Sequence, residues 1–330
     1  MDVAVLGGGS MGVAMAVLLS NNGHKVSIWT PIKAEADQIN TEHGIADRLP
    51  GVVLSDYVEA FWDFEKCMKN AEIVLIAVPS VHMRKTAQMI AKAVNSVNVL
   101  IVCCSKGLEA ETGKLLTDIL KEEIKGNPIV ALSGPSYAIE IARGMPTVVV
   151  AASEDSAAAK ICQDVFMNDN FRVYTSSDIT GVELGGALKN IIALCSGISD
   201  GLGFGDDAKA ALLTRGIAEI ARLGKEMGAD TQTFFGLTGM GDLILTCTGT
   251  HSRNKKTGML LGKGYSLDMA LKEVNMVVEG VSTAKPAMIL SKKYSVEMPI
   301  ICEANAILYE GSNPRESVMK LMTRNKKSEF

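Results

Sequence analysis

The first twelve residues, Met1-Asp-Val-Ala-Val-Leu-Gly-Gly-Gly-Ser-Met-Gly12, constrain the fold more than any other stretch of the chain. A short run rich in branched apolar residues ends in three glycines, and an apolar helical pattern opens directly behind them. Gly7, Gly9 and Gly12 fall on the G-x-G-x-x-G spacing. In a dinucleotide-binding turn the first glycine makes the tight turn, the second admits the pyrophosphate and the third lets helix and strand pack closely. The helix starting near Ser10 then turns its unspent N–H groups and positive end toward the phosphates. A ligand-free glycine turn and a secretory signal compete with this reading. The signal lacks a basic start, since residue 2 is Asp2 and the first lysine is Lys25. Three glycines would also break its apolar helix.

The pattern behind the turn completes a βαβ unit. Val13 to Leu19 reads as helix, Asn21-Asn22-Gly23 as its stop, and Lys25 to Trp29 as the second strand. An NAD site commonly places an acid at the end of that strand. Here stand Thr30 and Pro31, with Lys33 close by, so the strand end does not choose between NAD and NADP. Residues 34–70 are mixed and polar, read as a helix and an ill-defined connection. Apolar runs of strand length follow at 71–78, 98–104, 128–132 and 147–151, and the last strand is read at 171–174. Helical segments at 81–94 and 112–125 separate several of them. Such runs suit parallel strands buried on both faces. The fold class is therefore α/β: a doubly wound, Rossmann-type, mainly parallel sheet over residues 1–178, followed by an all-helical domain over 179–330.

In such a sheet, ligands lie beyond the carboxyl ends of the strands. Pro79-Ser80, Ser105-Lys-Gly107 and Ser133-Gly-Pro-Ser136 occupy that place. Lys106 reads equally as a site residue or as a solvated surface lysine. In the second half, Lys189 is the sole basic residue of an apolar helical stretch, Gly181 to Leu194. It is either a snorkelling lysine or a buried amine able to move a proton. The two glycines within that stretch imply close approach of a ligand or another helix. Arg215, Glu219, Arg222 and Glu226 read as the solvated face of a helix over 208–227. Gly236 to Gly249 reads as a tightly folded connection rather than helix. Ser252, Arg253 and Asn254 offer a hydroxyl, a charged fork and an amide, which suit phosphate or a basic surface turn. Glu279 serves equally as helix cap or ribose contact, and the tail from Asn325 reads as frayed.

Composition excludes several classes. A net charge of −4 gives no pull toward nucleic acid or an acidic membrane. No apolar run suits a membrane span. Seven cysteines without C-x-x-C pairs or a histidine cluster read as reduced, buried thiols in a cytoplasmic protein, with neither disulfide frame nor metal site.

Taken together, the opening glycines, Ala77-Val-Pro-Ser80, Ser105-Lys-Gly-Leu-Glu109, Leu132-Ser-Gly-Pro-Ser136, Glu183 to Asn190, Ala208 to Gly216, Gly236 to Asp242 and Ser252-Arg-Asn254 resemble one family, the bacterial NAD(P)-dependent glycerol-3-phosphate dehydrogenases. The resemblance runs over nearly the whole chain. It implies reversible reduction of dihydroxyacetone phosphate to sn-glycerol 3-phosphate with NAD or NADP, no metal, and a place in glycerophospholipid synthesis. It implies that Lys189, Lys106 and Asp242 are catalytic. With them, Gly134, Ser136, Ser252, Arg253 and Asn254 would hold the substrate. Gly7, Gly9, Ser10, Met11, Gly12, Lys106, Ala138, Arg253, Val277 and Glu279 would meet the cofactor. Met11 stands where relatives often carry Trp, and Thr30 where a basic residue is common. An acid beside Lys189 would raise the amine's pKa, whereas burial or Lys106 would lower it. A small phosphorylated substrate is the expected partner, with homodimer formation through the helical domain. Two other readings use the same features. One is a 3-hydroxyacid or ketopantoate-type dehydrogenase; the other is a dinucleotide-binding sensor without catalysis.

Overall fold

A computed structural model describes residues 1–330 apart from Asn95, Lys327 and Phe330. The last two lie in the stretch read as a frayed tail, so that reading falls partly outside the described residues. The chain divides into two compact units, one of residues 1–106 and 114–183, the other of residues 107–113 and 184–330.

The first unit is built on eight strands: β1 (Asp2–Leu6), β2 (Lys25–Trp29), β3 (Val58–Phe61), β4 (Ile73–Ile76), β5 (Leu100–Cys103), β6 (Ile129–Ser133), β7 (Thr147–Ala152) and β8 (Phe171–Ser176). Their order across the sheet is β3-β2-β1-β4-β5-β6-β7-β8. All neighbours are parallel except β6 and β7, which run antiparallel. The exception follows from the connection, since the short helix Ala138–Ala142 returns the chain without crossing the sheet.

Alternation along each strand divides two apolar layers. Val3, Val5, Ile73, Leu75, Leu100 and Val102 face one layer, which holds residues of the helices Ser10–Asn21 and Ser156–Phe166. Ala4, Leu6, Val74, Ile76, Ile101 and Cys103 face the other, with residues of Met83–Ala93 and Leu116–Glu123. Burying each larger side chain contributes roughly 1.5–3 kcal/mol, which is why these strands read as unbroken apolar runs. Strand β3 went unread within the polar stretch 34–70. It is a short edge strand in which only Val58 and Ala60 are buried, too little pattern to mark it.

The second unit is helical. Its longest helix, Ile179–Gly201, starts in the first unit and is long and apolar enough to cross a membrane. With 89% of its apolar window buried, however, it behaves as a core helix. Near its start, Glu183 accepts hydrogen bonds from the Thr117 N–H, at 3.1 Å, and from the Thr117 hydroxyl. Burial pushes this carboxyl up to about 7, against the pull of those two bonds.

Three expectations need correcting. Residues 236–249 are not a plain connection: a π turn, Leu237–Gly241, runs straight into the helix Asp242–Thr248. The glycines crowd the turn, and Leu243 and Cys247 are then buried. Glu219 does not lie on a solvated face. It is buried and accepts the Ile300 N–H at 2.9 Å, capping the helix Pro299–Tyr309. All seven cysteines are free thiols, but only five are buried: Cys195 is half-buried and Cys302 is exposed.

Candidate active site

In the first unit the candidate residues gather at the carboxyl ends of β1, β5 and β6. Gly7 sits at φ +128°, and a Cβ there would stand 2.6 Å from the Ala77 carbonyl oxygen. A Cβ on Gly12 would strike the Gly7 carbonyl, so helix and turn meet backbone to backbone. Gly9 differs, because a Cβ there would point into open space. Gly9 is also the N-cap of Ser10–Asn21, whose first turn carries no side-chain cap and no acid. The helix therefore brings no acid of its own to that end, which suits a phosphate. Ser10 is partly exposed, and Met11 and Ala138 are partly buried against the same apolar layer. The donor set fits a dinucleotide.

Beyond β5, the Lys106 amine donates to the Gly134 carbonyl at 2.9 Å. The Ser136 hydroxyl donates to the same oxygen at 3.0 Å. The two side chains thus converge on one backbone oxygen, and β5 and β6 carry them there side by side. Ser105 ties its loop to the end of β4 by donating to the Val78 carbonyl at 2.6 Å.

In the second unit, Lys189 and Asp242 form a buried ion pair, with side chains 7% and 1% exposed. Lys189 also donates to the Thr246 hydroxyl at 2.7 Å, and that hydroxyl donates to the Asp242 carbonyl at 2.6 Å. The Lys189 amine is therefore buried rather than snorkelling. Thr246 was missed by sequence reasoning. The available signal was its spacing, one helical turn beyond Asp242. The glycines in the Ile179–Gly201 helix admit chain, since a Cβ on Gly185 would stand 2.8 Å from the Thr238 carbonyl oxygen.

Ser252 is the N-cap of Arg253–Gly262, its hydroxyl accepting from the Lys255 N–H. Arg253 is exposed at the helix start. Crowding by the surrounding chain lowers its pKa, and the Glu279 carboxylate opposes that shift, which leaves the guanidinium charged. Asn254 is buried and already engaged. Its amide nitrogen donates to Asn190 Oδ1 at 3.0 Å, and its oxygen accepts the Gly280 N–H at 2.8 Å. The cap of the helix Glu279–Lys293 thus comes from Asn254, while Glu279 is the helix's first residue. Val277 just before it is exposed. Among the described residues no cluster of histidine, cysteine, aspartate or glutamate is arranged to hold a metal ion.

Comparison with known proteins adds the family. The N-terminal profile of the NAD-dependent glycerol-3-phosphate dehydrogenases matches residues 2–159, and the C-terminal profile matches residues 178–319. The chain belongs to the NAD-dependent glycerol-3-phosphate dehydrogenase family. It is 50% identical over 327 residues to the glycerol-3-phosphate dehydrogenase (NAD(P)+) of Agathobacter rectalis, covering 99% of this chain and 97% of that one. The Fusobacterium nucleatum enzyme of the same name is 48% identical over 330 residues, with 99% and 98% covered. The crystal structure of glycerol-3-phosphate dehydrogenase from Coxiella burnetii superposes with a TM-score of 0.95 at 34% identity, covering 98% and 99%. The two family profiles take in every candidate residue, from Gly7 to Glu279.

Proposed function

We propose that this glycerol-3-phosphate dehydrogenase family member reduces dihydroxyacetone phosphate reversibly to sn-glycerol 3-phosphate with NAD(P)H, feeding glycerophospholipid synthesis. The buried Lys189 amine, held by Asp242 and Thr246 in a chain of this family, carries the reading. Residues 1–178 serve the dinucleotide and residues 179–330 the substrate and its proton. Gly7, Gly9, Ser10, Met11, Gly12 and Ala138 form one set of cofactor contacts, and Arg253, Val277 and Glu279 a second.

When bound, the dihydronicotinamide supplies a hydride to carbon 2 of the ketone. The carbonyl oxygen then needs a proton, and Lys189 gives it. Asp242 suits the amine to that task, because a carboxylate in contact favours the ammonium form. Thr246 fixes the remaining direction of the amine, so the proton is held on a defined line. In the oxidative direction Lys189 takes the proton back from the alcohol. Lys106 polarises the substrate oxygen from its anchor on Gly134, beside Ser136. Arg253 holds the phosphate with Ser252, while the engaged Asn254 acts on it through its one uncommitted N–H.

The same reading includes a cytoplasmic enzyme that pairs with a second copy through its helical domain, which analytical ultracentrifugation checks. The activity is tested by following NADH and NADPH oxidation with dihydroxyacetone phosphate, ketopantoate and tartronate semialdehyde in parallel. Oxidation confined to the first substrate is expected. Turnover of either other carbonyl compound in its place would refute the assignment, as would binding without oxidation.

A further inference from the structure

Beside the glycine turn, three side chains that the sequence keeps apart fix the charge at the end of β2. Thr30 is buried there, its Cβ 3.0 Å from where a Cβ on Gly8 would stand. Its hydroxyl donates to Glu35 Oε2 at 2.6 Å. Arg48 Nη2 donates to Glu35 Oε1, also at 2.6 Å. Glu35 is thereby brought back to the strand end, although it follows that end by several residues and lies on the helix Lys33–Glu42.

The trio has a definite charge state. Partial burial pushes the Glu35 carboxyl up, but the hydrogen bonds from Thr30 and Arg48 outweigh it and hold the group below its ordinary value. It is an anion at neutral pH. Each of its oxygens has accepted one hydrogen bond and keeps capacity for another. Arg48 is spent on this carboxylate and also lies 3.6 Å from Asp47. Lys33 precedes Glu35 by two residues and so projects from a different face of the helix.

We infer that Glu35, braced by Thr30 and Arg48, selects the dinucleotide: it accepts from the hydroxyls of the adenosine ribose and repels a 2′-phosphate, so this chain prefers NADH to NADPH. The inference rests on the dinucleotide reading of the glycine turn. A free arginine at this place would welcome a 2′-phosphate. An arginine already paired with a carboxylate gives it less.

Equilibrium binding of NADH and NADPH to the full chain tests this, by nucleotide fluorescence or calorimetry. The variants are Glu35→Gln, Glu35→Asp and the double variant E35Q/R48Q, with circular dichroism as the folding control. The wild type is expected to bind NADH roughly tenfold or more tightly than NADPH, a difference of about 1.4 kcal/mol. E35Q should raise NADPH affinity by a factor on the order of ten, since it removes the charge and frees Arg48. E35Q/R48Q should lose that gain, and Glu35→Asp, which keeps the charge, should keep the preference for NADH. A wild type that prefers NADPH would overturn the inference, as would an affinity ratio that E35Q leaves unchanged. Either result leaves the functional reading standing. Binding of neither nucleotide by the folded wild type would overturn both.

Discussion

Lys189 and Asp242 show what a single buried charge pair demands. Taking each ion out of water costs several kcal/mol, and their mutual attraction repays this only when hydrogen bonds complete the site. Thr246 supplies that completion. Removing one partner leaves the other charged and buried, so Asp242→Asn should lower stability by about 3–5 kcal/mol, read from the denaturant midpoint. It should also lower turnover of dihydroxyacetone phosphate, because Asp242 and Thr246 together hold the amine. An unchanged kcat in the folded variant would separate Asp242 from the proton donor. Lys106 and Lys189 stood out in the sequence because each is a lone cation in a small-residue or apolar stretch. Thr246, Asn190 and Glu35 did not, because a threonine, an asparagine or a glutamate on a helix carries no local sign of the partner it meets.

Among the elements, the helix starting at Glu279 depends on a cap from far along the chain. Asn254 holds the Gly280 N–H, and a Cβ on Gly280 would stand 2.5 Å from the Asn190 carbonyl oxygen and 2.8 Å from Asn254 Oδ1. Gly280→Ala should therefore cost about 1–3 kcal/mol by overpacking, read from the denaturant midpoint. It should also weaken substrate binding, because Asn254, which caps this helix, stands next to Arg253 in the chain. Glu219 makes a second element-scale prediction. Burial pushes its carboxyl up to about 7, against the bonds from Ile300 and Ile301. A raised folded pKa means that this group's stabilisation is complete below its unfolded pKa, near 4.5, and is lost as pH rises through about 7. Glu219→Gln keeps an acceptor without the charge. It should match the wild type near pH 5 and exceed it in stability above pH 7, by a margin on the order of 1–3 kcal/mol read from the denaturant midpoint. Equal pH dependence in the two proteins would contradict this. The sequence misplaced Glu219 because charges at helical spacing look alike whether they face water or cap a neighbouring helix.

At the level of the whole molecule, the doubly wound sheet was legible because buried parallel strands must be apolar on both faces. The short edge strand β3 was not, since half of its residues face outward. Nor could residues 107–113 be seen to join the second unit. They do so by packing, with Gly113 lying against Leu290 and Pro286, and packing between distant segments leaves no local trace. Ligand linkage also belongs to this scale. NADH at about a hundred times its Kd should stabilise the folded chain by roughly 2.7 kcal/mol, seen as a rise in melting temperature. No rise would mean that the glycine turn takes no dinucleotide. Lys189 is proposed to deliver the proton that completes reduction of dihydroxyacetone phosphate. Steady-state NADH oxidation by wild type and Lys189→Ala, with NADH affinity titrated on the same folded samples, tests it most directly. Turnover should be lower by a factor on the order of 100 or more in the variant, with NADH affinity nearly unchanged; a variant that keeps its kcat would rule out proton delivery by Lys189.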